Sequence, residues 1–176
     1  MKYYLVIIFW FLLANSGIQA QERKFTYIQF DANVSITGNP YRDEPDNYEG
    51  ESKAFFVPNG IGSKLGYGLH YKQWLTLGIH SGLDWKWDDK LVAVPVYLNF
   101  GLSPKISESG RITLQLGYGK GFALGRGNLS GEYKKIRLGI TGDDQTIFVD
   151  VSDYGFALHH QKSISNISLG ISLISF

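Results

Sequence analysis

Three sets of residues in this chain are of types that do chemistry. The first is seven charges, Asp31, Asp84 and Asp150 with Lys64, Lys86, Lys135 and Arg137, spread through stretches that are otherwise apolar at every second position. An unpaired charge in a poorly hydrated interior costs several kcal/mol, so carboxylates and cations sharing such a space are expected to pair. Centring a turn on 142–145 puts Arg137 directly across from Asp150. These seven read as a structural charge network that plugs an interior. The second set could pair a nucleophile with a base. His80-Ser81 is adjacent in sequence, but neighbours on a strand point to opposite faces and cannot form a dyad. His159-His160 follows Asp153 and has the types for a metal site or an acyl-transfer base; in a polar loop the pair reads as solvent-exposed. The third set is the acidic segment GNPYRDEPDNYEGES, with Asp43, Glu44, Asp46, Glu49 and Glu51. It reads as a solvated loop, and its spacing fits no calcium-loop pattern. There is no cysteine, no Cys/His metal spacing and no phosphate-cradling glycine loop, so no catalytic, cofactor or metal residue is assigned.

What must position these residues is strands. Residues 75–87, LTLGIHSGLDWKW, set Leu75, Leu77, Ile79, Leu83, Trp85 and Trp87 against Thr76, Gly78, His80, Gly82, Asp84 and Lys86. A period of two places these sets on opposite faces. The same alternation recurs in 25–37, 61–71, 92–102, 112–124, 135–140, 147–152 and 167–173. That makes about eight strands, several as long as the roughly 9–11 residues of a tilted membrane strand. Connections are expected at 38–53, 71–73, 88–90, 103–110, 125–132, 142–145 and 157–163. Pro95 cannot donate to a ladder, which predicts a bulge beside it.

Composition bounds the rest. The 176 residues suit one domain, and a net charge of +1 supplies no field to gather nucleic acid. The N-terminus, MKYYLVIIFWFLLANSGIQAQE, has Lys2, an apolar run from Leu5 to Ala14 and a small-residue site at Ile18-Gln19-Ala20. It predicts a signal peptide over 1–20, cleaved after Ala20, and a mature domain over 21–176.

Glycine decides which face looks out. Gly62, Gly66, Gly78, Gly117, Gly139 and Gly170 are among eleven on the polar face, while the oily face is nearly all Leu, Ile and Val. Glycine weakens a strand unless another group must come close, and a narrow barrel bore is where long side chains need that room. The polar face is therefore expected inside and the oil outside, against lipid. On this reading Leu77→Arg harms insertion and Gly78→Ser is mild. Tyr71, Trp74, Trp85 and Trp87 then form aromatic girdles at the two interfaces. The fold class expected is all-β, an antiparallel up-and-down transmembrane barrel of about eight strands.

With these strands, this leader and the terminal segment ISLGISLISF ending in Phe176, the chain resembles the small bacterial outer-membrane barrels of the OmpA/OmpX type. The string LGYGKGFALG is similar to strings in barrels of Bacteroidetes-type bacteria. The resemblance implies a Gram-negative outer-membrane location, contact with membrane lipids and lipopolysaccharide, and Phe176 as a signal to the barrel-assembly machinery. Phe176 and Ile174 fall out of phase with Leu173, Ile171 and Leu169, which predicts a slip near the end. The function expected is a closed barrel in a structural or surface-interaction role, monomeric, without cofactor or nucleic acid. The alternatives are an outer-membrane lipid-modifying enzyme and a soluble lipocalin-like carrier with its faces inverted.

Overall fold

Each alternating stretch becomes one strand of a single closed sheet. The strands of the computed structural model are β1 (Thr26–Gly38), β2 (Phe56–Tyr71), β3 (Leu75–Lys86), β4 (Leu91–Leu102), β5 (Gly110–Leu124), β6 (Ser130–Gly142), β7 (Gln145–Gly155) and β8 (Ile164–Ser175). All neighbours are antiparallel and β8 closes onto β1. The structure describes residues 25–39, 54–108, 110–125, 129–142, 145–156 and 163–176. The leader, the acidic segment 43–51 and His159-His160 lie outside the described residues.

Register fixes the shape. From Thr26, the cross-strand partners run Leu69, Leu77, Phe100, Leu116, Ile136, Val151, Ile167 and back to β1 at Ile36, ten residues beyond the start. A stagger of ten over eight strands requires the strands to tilt strongly, within the roughly 35–45° typical of barrels, and leaves a bore that side chains fill.

The faces divide as glycine indicated. Leu77, Ile79, Leu98, Leu138, Ile140 and Ile147 are exposed on the outer wall, Ile147 to 73%. Gln29, Asp31, His80, Asn99, Thr113, Arg137 and Ser168 are buried within. A soluble carrier needs the opposite arrangement. Gly66 illustrates why the inner face is glycine-rich. A Cβ there would lie 2.2 Å from the His80 ring, which β3 lays across β2. Gly170 makes the same room on β8 for the Phe148 ring.

Three details differ from expectation. The β3–β4 ladder lapses opposite Pro95, between the Ser81–Val96 and Asp84–Ala93 pairs, but resumes in the same register, so no residue is inserted. The extra residue lies instead on β2 beside Pro58, where the β1–β2 register shifts between Ser35 and Ile36. β8 has no slip: Gln29–Ile174 and Ile28–Ser175 continue the pairing, and Ile174 is buried in phase with Ser172.

Candidate functional site

Among the described residues, the chemically capable side chains converge in the bore, which changes character along its length. At the end where β1 begins, the Phe176 ring lies 4.8 Å from that of His70 and 6.3 Å from that of Tyr27. Just inside, four hydroxyls form a chain: Thr141 bonds Thr113 at 2.8 Å and Thr146 at 2.7 Å, and Ser103 bonds Thr113 at 3.1 Å. Tyr27 and His80 share a hydrogen bond of 3.0 Å between Oη and Nε2.

The middle holds the charges. Arg137 on β6 reaches two carboxylates through Nη2, Asp150 on β7 at 3.0 Å and Asp31 on β1 at 2.8 Å. Its guanidinium carbon lies 3.4 Å from the centre of the Phe148 ring. Asp31 also accepts from Gln29 at 2.8 Å, and Gln29 accepts from Gln115 at 3.2 Å. A second cluster lies further along, where Lys64 bonds Asp84 at 2.6 Å and the Tyr154 hydroxyl donates to the same carboxylate. Lys135 donates to the Tyr97 hydroxyl at 3.0 Å, and Lys86 to the Ser165 carbonyl at 3.2 Å. Such charge-assisted bonds between buried partners hold strands together across the bore as well as along it.

Around Asp84 and Lys86 the bore turns oily. Leu91, Ala93, Ala123, Tyr133, Phe156 and Ile164 are buried together with Tyr97 and Tyr154. Ring contacts run through the whole length, from Phe176 to Tyr27, His80, Tyr97, Tyr133, Tyr154 and Phe156, with centroids 4.9–6.3 Å apart. This ladder is what the sequence reading missed. Its signal was phase: Tyr27 lies two residues before Gln29, Tyr133 two before Lys135, and Tyr154 two after Ser152, all on inward positions.

Chains of known structure share the fold. The outer membrane enzyme PagL matches over 82% of this chain and 98% of its own, with a TM-score of 0.55 and 15% identity. Neisserial surface protein A matches over 85% and 97%, with a TM-score of 0.51 and 9% identity. The fold is that of the eight-stranded outer-membrane barrels. At such identities the likeness carries the fold and no residue roles. No protein-family model and no curated protein matches the chain.

The aromatic-girdle candidates lie on the outer wall. Tyr71 and Trp74 are exposed at one end of the outer wall, beside the tight turn at Lys72 and Gln73; Trp85 and Trp87 are exposed at the other. His80 points into the bore, while Ser81 takes the outer phase on the same strand. Among the described residues no cluster of His, Asp and Glu has the makings of a metal site.

Proposed function

We propose that the protein is an integral outer-membrane barrel, exported with its leader removed after Ala20, that acts from its surface and does not transport through its lumen. The observation that carries this reading is the filled bore: an Arg137 crosslink from β6 to β1 and β7, beneath an apolar closure of Leu91, Tyr133, Tyr154 and Phe156. The orientation follows from the connections. Those leaving the Phe156 end include the long 39–55 segment, whereas the other end has short turns such as 72–74, the usual contrast between external loops and periplasmic turns. The external rim, rather than the lumen, is then the place for a partner. The outer wall meets membrane lipids and lipopolysaccharide, the segment ending in Phe176 engages the assembly machinery, and the barrel is monomeric.

Purified barrel added to planar lipid bilayers tests the reading. No steady single-channel steps are expected, and stable ion-selective conductance would replace a surface role with that of a channel.

A further inference from the structure

The outer wall is not uniformly convex. Over β2–β4, towards the external end, lies a groove of about 320 Å³ lined by Ile61, Gly62, Ser63, Leu83, Trp85 and Val92. Its origin is local. Ile61, Trp85 and Val92 share one cross-strand row, and in the next row on that face the short Ser63 lies opposite Leu83. A short side chain beside an indole leaves a trench, in the strip where the β3–β4 ladder lapses opposite Pro95.

The surroundings say what fills it. The groove is continuous with the aliphatic wall of Leu65, Leu69, Ile79 and Leu98, all exposed, so its natural occupant is hydrocarbon. One strand beyond it, Lys120 interrupts the otherwise apolar outer face of β5, pairing across the ladder with Val96 of β4. Its ammonium lies 5.6 Å from the centre of the Phe122 ring. Glu132, its partner on β6, is held instead by Lys134 at 2.8 Å, with Tyr118 donating to the same carboxylate at 3.2 Å. Lysine on the lipid side of a barrel is costly at mid-bilayer and nearly free at the headgroup level, where its stem can snorkel to a phosphate. Strands β3 and β5 are about 10 Å apart at the usual interstrand spacing. A lysine stem and a lipid headgroup cover that distance together.

We propose that this wall holds one membrane phospholipid of net negative headgroup charge, with an acyl chain in the groove beneath Trp85 and its phosphate at Lys120. The inference rests on the outer-membrane reading, and its test separates the two. The experiment is native mass spectrometry of the folded barrel released from detergent micelles, titrated with phosphatidylglycerol or with phosphatidylcholine of the same chains. Wild type is expected to retain one phosphatidylglycerol and several-fold less phosphatidylcholine. Ser63→Leu and Leu83→Trp, which fill the groove, and Lys120→Gln should each lower retention several-fold. Leu138→Trp, the same added bulk on β6, should not. Equal retention of both lipids, or unchanged retention when the groove is filled, overturns the site. A wild-type chain that folds only without detergent overturns the membrane reading beneath it.

Discussion

Along β3, the outer residues Leu77 and Ile79 could exchange places without losing any contact particular to them. The inner residues Thr76, His80 and Asp84 could not: His80 is bonded to Tyr27 and laid over Gly66, and Asp84 binds both Lys64 and Tyr154. The same chain thus follows two packing rules at once. Acyl chains are fluid and ask only for oil at the right height, so the outer face tolerates repetition. A narrow bore must be packed and its charges paired, so inner residues such as His80, Asp84 and Arg137 each have a particular neighbour. Substitutions on the inner face should therefore discriminate between individual residues, and those on the outer face should depend on chemical class alone.

Arg137 offers the largest effect. Arg137→Ala strands Asp31 and Asp150 together and should cost about 3–5 kcal/mol, the range for breaking a buried ion pair. Removing Asp150 as well leaves Asp31 unneutralised, so the informative partner is the triple variant with Asp31→Asn and Asp150→Asn. It should regain much of the loss in urea titrations followed by heat-modifiable gel mobility. A triple variant no more stable than Arg137→Ala would show that the carboxylates do not depend on Arg137.

Next comes the outer wall. Ile79→Arg, nearer mid-belt than Leu77, should cost about 2–4 kcal/mol because a cation then faces hydrocarbon. Ile79→Leu should be neutral, as class rather than shape is at stake there. Folding yield in lipid vesicles checks both, and a yield for Ile79→Arg equal to wild type would remove the lipid from the account.

Smaller losses are expected from the inner glycines. Gly66→Val must push aside the His80 ring, at about 1–3 kcal/mol for an overpacked site. Gly78→Ser belongs here too and is not the mild change that an inner polar position suggested. A Cβ at Gly78 would meet the Tyr27 hydroxyl at 2.5 Å and the Tyr67 carbonyl at 2.7 Å. Urea midpoints of both variants within error of wild type would mean that the bore has slack.

What could be read from the sequence follows the same division. Strand number and facing are legible because alternation is local and every strand repeats it. The Arg137–Asp150 register is legible because a short hairpin connection fixes pairing on both sides of it. The Asp31–Arg137, Lys135–Tyr97 and Tyr154–Asp84 contacts are not, since they depend on stagger and curvature summed around the barrel. The slip expected near the end of β8 fails for a related reason: Ile174 and Phe176 are apolar but out of phase with Leu173, and unbroken pairing keeps them so and turns the Phe176 ring onto His70 and Tyr27. The trench under Trp85 was invisible because it arises from one short side chain, Ser63, and its neighbours on two other strands.

The packed bore can be tested most directly by thiol accessibility, since the chain has no cysteine of its own. Ser168 is fully buried on the inner face of β8, where it accepts from Asn166 at 2.8 Å. Ser168→Cys replaces one small side chain with another of nearly the same shape. In the folded barrel this thiol should resist a small, charged, water-soluble thiol reagent applied from either side, and react fully once the protein is unfolded in urea. Rapid modification of the folded protein would mean that water fills the lumen and that its charges line a path.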